Sequence, residues 1–334
     1  MASVLSRVTR GVVPPPPRWP VFDPGIREIA PRPVAAGSVT RRLRSLVDEA
    51  DLEALRSRLD SGERRTLDGA GPDRRPFLEV ALCVHHGVEP VLEKTGLSAA
   101  APPTSVHSMA RGAETAGGSY YYADLVAEGS ERSGGHLASV GRGLDFGCSS
   151  GRVVRVLAAA FPEADWHGCD PNGPAIAWAR ENIPSVSFES SPIAPPLTYP
   201  DGLFDLVFAI SVWSHFAEHA AREWLDEMAR VVAPGGWLVF TAQGLQSVTF
   251  YDRHELLAKL DLEEVVTAMY ARGFGFLSVP WGPRGDDGVP GAAWGMAFIS
   301  PEWIAMQLSP HWKLAFFEAG RAETNQDLYV LERR

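Results

Sequence analysis

The sequence predicts an α/β protein built on a doubly wound, mostly parallel sheet. Two observations carry that expectation. From about residue 140 onward short apolar runs alternate with helical runs, which is the pattern of βαβ units. The first of these strands passes through a glycine-containing loop into a helix, and the second ends in an acid, Asp170. Strand ends of such sheets are where ligands bind.

The chain has 334 residues, of which 45% are apolar, enough for a sizeable core. A net charge of −10 argues against a surface that tracks nucleic-acid phosphates. No apolar run reaches the roughly eighteen residues that a membrane span needs. The three cysteines, Cys83, Cys148 and Cys169, form no CxxC pair and no disulfide framework, as expected for a cytoplasmic, reducing setting.

Residues 1–40 read as a proline-rich leader or arm, because the prolines of "VVPPPPRWP" remove backbone donors and favour extended geometry. "MASVLSRVTR" has the Ser, Thr and Arg of a transit peptide but is read as part of that leader. A helical region is expected over 41–115. Helical spacing of Leu43, Leu46, Val47, Leu52 and Leu55 predicts one amphipathic helix over 41–60, and a more apolar one is expected over 76–97. His85 and His86 at its centre read as one packed and one solvated residue.

Strands are expected at 141–146, 165–169, 185–189, 204–210, 236–241, 312–318 and 326–332, with helices at 151–161, 172–183, 217–232 and 301–309. In "LDFGCSSG" the strand ends at Asp145 and Phe146, and Gly147 and Gly151 allow the positive φ or close approach that a turn pressed against a ligand requires. The dinucleotide fingerprint G-x-G-x-x-G is not present. Asp170, nineteen residues after Gly151, stands where a carboxylate can accept both hydroxyls of a ribose.

The stretch "HFAEH" after the fourth strand spells H-x-x-E-H, which on a helix presents His215 and His219 to a zinc ion with Glu218 beside them. A zinc peptidase would also need a third ligand on a following helix. The position at the mouth of an α/β sheet favours no metal and gives His215 another task.

The glycine loop, Asp170, the strand "FDLVFA" and the "PGG" turn before strand five resemble, in that order, the class I S-adenosylmethionine-dependent methyltransferases. The resemblance covers about residues 116–242, and "WKLAFFEAG" and "NQDLYVLER" fit the family's final antiparallel pair. It implies a Rossmann-like seven-stranded sheet with an antiparallel last strand. The methyltransferase domain would then occupy 116–334, with an acceptor-lid insertion over 243–300. S-adenosylmethionine is the implied cofactor. Its methionine end would lie along Gly147, Cys148, Ser149 and Gly151, with Asp145 toward the ammonium. Asp170 would hold the ribose, Pro171 and Asn172 would flank the adenine, and Ser211 would sit beneath the sulfonium. Ser190 and Ser191 stand where an Asp or Asn often meets the adenine amine.

One of Tyr120, Tyr121 and Tyr122 should touch the cofactor from a lid, with Tyr121 the candidate; three adjacent tyrosines cannot share a helix face. His107 and Arg111 either reach the acceptor from that lid or lie on an ordinary exposed loop. In the insertion, Trp281, Trp294 and Met296 either line the acceptor site or pack the insertion on itself. His215, four residues past Ser211, is the candidate general base.

The implied activity is methyl transfer to a small-molecule acceptor at oxygen, a hydroxyl or carboxylate of a natural product or sugar. The alternatives are a peptide or protein acceptor and a cofactor-binding partner protein without catalysis. The N-terminal helices are left to cover the site or to form a homodimer.

Overall fold

The computed structural model describes residues 37–103, 106, 119–253, 262–278, 294–323 and 325–334. Residues 1–36 of the expected leader, His107, Arg111 and Trp281 lie outside the described residues.

The strands are β1 (Arg142–Phe146), β2 (Asp165–Asp170), β3 (Ser187–Ser190), β4 (Phe204–Ala209), β5 (Val232–Gln243), β6 (Phe274–Leu277), β7 (Met296–Ile299), β8 (Trp312–Ala322) and β9 (Gln326–Arg333). Strands β3, β2, β1, β4 and β5 lie side by side and parallel, so the order reverses between β1 and β4. Both faces of this sheet are covered, which is why "LDF" and "FDLVFA" are almost uniformly apolar. Alternation still sorts the side chains. Leu206 and Phe208 enter the core on one face, Val207 and Ala209 the core on the other.

The "PGG" expected to precede strand five instead lies within β5. Phe204 pairs with Val232 and Leu206 with Trp237, so two residues of β4 span five of β5, and Gly235 at φ +82° supports the bulge. β5 then runs on to Gln243, and it receives one neighbour from the expected final antiparallel pair and one from the insertion. β9 lies antiparallel along one edge from Trp237 to Gln243. β7 takes the other edge at Gln243, beyond Ala209, where β4 has ended. With β6 antiparallel to β7, the insertion adds two strands, and the described sheet has nine rather than the expected seven.

Two expected helices are each broken in two. The run over 41–60 is α1 (Ser38–Arg44) and α2 (Glu49–Arg58), because Asp48 and Asp51 form a reciprocal capping box that starts a new helix. The run over 76–97 splits at Gly87, φ +60°, with α3 (Ser61–Asp68) before it, then α4 (Arg75–His85) and α5 (Glu89–Thr95). The remaining helices are α6 (Tyr120–Arg132), α7 (Val154–Ala160), α8 (Gly173–Asn182), α9 (Glu218–Val231), α10 (Leu245–Arg253), α11 (Leu262–Arg272) and α12 (Pro301–Gln307).

The N-terminal helices share one apolar core with α6, α7 and a sheet face. Polar ties fix the contact. Buried Asp124 of α6 accepts the Gly37 N–H at 2.9 Å, the Thr40 N–H at 3.0 Å and the Thr40 hydroxyl at 2.6 Å, acting as an N-cap in trans for α1. Arg155 of α7 donates to the carbonyls of Ser98 and Ala100. Asp124→Ala is expected to lower unfolding free energy by about 2 kcal/mol, as three donors lose a charged acceptor. Urea denaturation followed by far-UV circular dichroism measures it; an unchanged midpoint would show that the tie is idle.

Candidate active site

A cavity of about 120 Å³ opens at the C-terminal ends of β1, β2 and β4, where the strand order reverses. Its inner wall is the loop after β1. The N–H groups of Gly147 and Cys148 both donate to the Cys169 carbonyl, at 2.9 and 3.1 Å, which folds the loop across the tip of β2. Gly147 and Gly151 adopt φ +77° and +76°. A Cβ at Gly147 would stand 2.5 Å from Val212 Cγ2, and one at Gly151 would stand 2.7 Å from Phe188 Cζ. Gly147 therefore keeps the cavity wall thin, while Gly151, which does not line the cavity, seats the loop on the core.

Asp170 clamps the same loop. One carboxylate oxygen accepts the Ser149 N–H at 2.7 Å and the other the Asn172 N–H at 2.8 Å. Burial raises its pKa, and these two N–H bonds oppose the rise. A carboxylate has about four acceptor positions, so Asp170 keeps capacity toward the cavity it lines. Asp145, at the end of β1, accepts only a long bond from the Val154 N–H, 3.3 Å. Its burial without a strong partner pushes its pKa up to about 8. The Ser149 hydroxyl lies buried beside the cavity with no hydrogen-bond partner among the described residues.

Of the residues singled out in the sequence, Asp145, Gly147, Cys148, Ser149, Asp170, Pro171, Ser211 and His215 all border this cavity. Asn172 does not; its side chain accepts the Ala175 N–H at 3.2 Å and caps α8. Ser191 reaches the rim beside Pro192 and Ile193, whereas Ser190 ends β3. Tyr121 is placed elsewhere: its hydroxyl donates to the Arg321 carbonyl at 3.2 Å and accepts the Glu323 N–H at 2.8 Å. It pins α6 to the turn between β8 and β9, and the next residue, Tyr122, borders the cavity instead. A rotation of about 100° per helical residue separates the two roles.

His215 lies before α9, which begins only at Glu218, and His219 is exposed on that helix. The two imidazoles therefore share no helical face, and Glu218 is engaged with Arg222 at 2.6 Å and with Trp303 Nε1 at 3.1 Å. Among the described residues, the group of histidines and carboxylates close enough to share an ion is Glu63, His85 and His86, in the N-terminal helices. There the half-buried His86 pairs with Glu63 at 3.0 Å and His85 is exposed.

The insertion completes the opposite wall. Gly295 N–H donates to the His215 carbonyl and Ala297 N–H to the Ser214 carbonyl, both at 2.8 Å, so β7 is laid against the loop after β4. Trp294 stacks on His215 with ring centroids 4.7 Å apart and borders the cavity. Met296 packs instead into the insertion's own small core with Val265 and Phe298. His215 Nδ1 lies 2.8 Å from the Gly295 carbonyl oxygen. A carbonyl only accepts, so Nδ1 carries the proton and, in the neutral ring, Nε2 carries the lone pair.

Residues 144–236 match a family described as a methyltransferase domain. The chain is 37% identical over 102 residues to the trans-aconitate 2-methyltransferase of Methylobacterium nodulans, a match covering 30% of the chain and 38% of that protein. It is 34% identical over 102 residues to the fatty-acid O-methyltransferase of Mycolicibacterium smegmatis, covering 30% of the chain and 36% of that protein. Thus the chain spans less than two-fifths of the length of these curated relatives, 38% and 36%. Among solved structures, the N-methyltransferase NodS of Bradyrhizobium japonicum WM9 in complex with S-adenosyl-l-homocysteine aligns with TM-score 0.39 and 18% identity. That alignment covers 64% of this chain and 85% of NodS.

Proposed function

We propose that this chain is a class I S-adenosylmethionine-dependent methyltransferase that transfers a methyl group to an oxygen of a small-molecule acceptor, a hydroxyl or carboxylate of a natural product or sugar. The observation that carries the reading is the clamp of Asp170 on the glycine loop, with acceptor capacity left over toward the cavity. The residues present fit the cofactor. A Cβ at Gly147 would force the wall to shift, the Ser149 hydroxyl has no partner among the described residues, and two buried carboxylates line the cavity, matching an ammonium and a ribose diol.

In this reading Asp170 accepts the ribose hydroxyls and Asp145 accepts the ammonium. When bound, S-adenosylmethionine supplies an activated methyl group on a sulfonium. The protein's own work is to align the acceptor with that group and to remove a proton where the acceptor is a hydroxyl. His215 suits the second task, because the Gly295 carbonyl leaves its basic Nε2 as the acceptor and Trp294 holds the ring flat against the wall. The aromatic rings of Phe216, Trp224 and Trp294 favour an acceptor with an apolar body.

Incubating the protein with methyl-labelled cofactor and fractionated metabolite extracts, then identifying the labelled product by mass, tests the proposal. A labelled small molecule is expected. Label recovered only in protein or peptide would overturn the acceptor class, and absence of turnover with firm cofactor binding would favour a non-catalytic partner.

A pH dependence follows from Asp145. Its pKa is raised from 3.8 to about 8, so the folded chain holds a proton there that the unfolded chain has already released. This group's contribution to stability therefore falls as pH rises between those values. Binding an ammonium needs the ionised carboxylate and competes with that proton. Affinity for S-adenosylhomocysteine is expected to fall by up to about tenfold per pH unit below the raised pKa. Calorimetry at pH values on either side, in buffers of different ionisation enthalpy, should show proton release on the acid side. Asp145→Asn should abolish the release.

A further inference from the structure

Ser211 is the residue on which the cavity floor turns. It follows the end of β4, borders the cavity, and adopts φ +63°, a left-handed conformation that is unfavourable for a residue with a Cβ. Such a conformation persists where surrounding structure over-determines it. Here the over-determination is visible. The Ser211 N–H donates to Thr241 Oγ1 at 2.8 Å, and its carbonyl accepts the Ser214 hydroxyl at 2.8 Å. Its own Oγ accepts Gln326 Nε2 at 2.8 Å.

The directions of these bonds are mutually fixed. Thr241 Oγ1 gives its proton to Gln326 Oε1 at 2.7 Å, which leaves a lone pair for the Ser211 N–H and orients the Gln326 amide so that its nitrogen faces Ser211. Ser214 has spent its proton on the Ser211 carbonyl, so between the two serine hydroxyls, 3.1 Å apart, Ser211 is the donor. Gln243 Nε2 adds a bond to the Ser214 carbonyl at 3.0 Å. Thr241 and Gln243 are buried in β5, and Gln326 opens β9 at the position paired with Gln243. The turn that carries the chain from β4 to His215 is therefore gripped from two strands lying 30 and 115 residues further on.

The geometry points to Thr241 and Gln326 as positioning residues: they hold Ser211 in its left-handed turn, and so set the floor on which the cofactor's sulfur side and the acceptor meet. Neither borders the cavity, so they act through Ser211. The assignment rests on reading the cavity as an S-adenosylmethionine site. It also gives Tyr121 a place in the fold, since its hydroxyl anchors the backbone of the turn that leads into Gln326.

The test uses the full chain and S-adenosylhomocysteine as the probe, with affinity read by titration calorimetry and folding by thermal melts. Thr241→Val keeps the shape and removes the acceptor, stranding a backbone N–H; affinity is expected to fall about tenfold. Thr241→Ser keeps the hydroxyl and should bind close to wild type. The decisive variant is Thr241→Val combined with Ser211→Gly. Glycine adopts the left-handed conformation without help, so the second change should restore most of the lost affinity. A role confined to general stability would shift the melting temperature and show no such rescue.

Gln326→Leu, at the half-buried start of β9, provides an independent reading should Thr241→Val fold poorly, and should weaken binding in the same way. Wild-type affinity in both Thr241→Val and Gln326→Leu, or loss of affinity that Ser211→Gly leaves uncorrected in a folded protein, would overturn the assignment. Failure of the wild-type chain itself to bind S-adenosylhomocysteine would overturn the cofactor reading, and the assignment with it.

Discussion

Replacing His215 by alanine is expected to lower kcat with saturating acceptor by about 10² to 10⁴, the usual range for a positioned general base, while leaving S-adenosylhomocysteine affinity nearly unchanged. The split follows from position. His215 stands on the wall shared by the loop after β4 and by Trp294, across the cavity from the Asp170 clamp. Its Nδ1 lies against the Gly295 carbonyl, so in the proposed mechanism Nε2 is the nitrogen that takes the acceptor's proton, and the variant removes it. Single-turnover rates and binding titrations on the same preparation measure the two quantities. If kcat is unchanged, His215 is no base; an acceptor carboxylate, already ionised at neutral pH, would then be the natural reading, because it needs no proton removed.

The second large effect is expected at Asp170, and on binding rather than on turnover. Asp170→Ala removes the acceptor for the Ser149 and Asn172 N–H groups and, in the proposed complex, for two ribose hydroxyls. Hydrogen bonds to a charged group contribute about 1.5–3 kcal/mol each, so loss of two on the ligand side alone predicts a fall in affinity of at least about 100-fold. Asp170→Asn retains one acceptor oxygen and should fall between the two. Isothermal titration with S-adenosylhomocysteine reads this directly, and unchanged affinity in the alanine variant of a folded protein would remove the basis for the ribose assignment. Asp170 is buried and its pKa is raised, so its removal also relieves an unfavourable desolvation. The thermal midpoint should accordingly shift much less than the affinity does.

How much was legible in the sequence differs sharply between the two halves of the site. Asp145, Gly147, Ser149 and Asp170 lie within 26 residues of one another, and their places on the cavity wall are set by one strand, one turn and the strand beside it. A turn that needs positive φ announces itself through glycine, and an acid that ends an apolar strand through the break in hydropathy. The parallel core of the fold was legible for the same reason, since buried strands read as apolar runs. The helix breaks at Asp48 and Gly87 were signalled too, by a capping pair and a glycine, but an unbroken apolar periodicity overshadowed them.

The sequence by itself determined one half of the cavity wall: a strand, a glycine turn and a second strand tipped with an acid. Only the tertiary structure decided the other half. The proton on His215 is placed by a carbonyl 80 residues away, the turn at Ser211 is held by Thr241 and Gln326, and the choice between Tyr121 and Tyr122 depends on how α6 packs against the turn between β8 and β9. The same is true of the insertion. Its strands join the sheet because β5 outruns β4 and leaves an open edge at Gln243, a fact about relative strand lengths in space. Local contacts leave a periodic trace along the chain. A hydrogen bond between distant strands leaves none, because Thr, Gln and Ser occur at many positions and only the order of the strands brings these ones together.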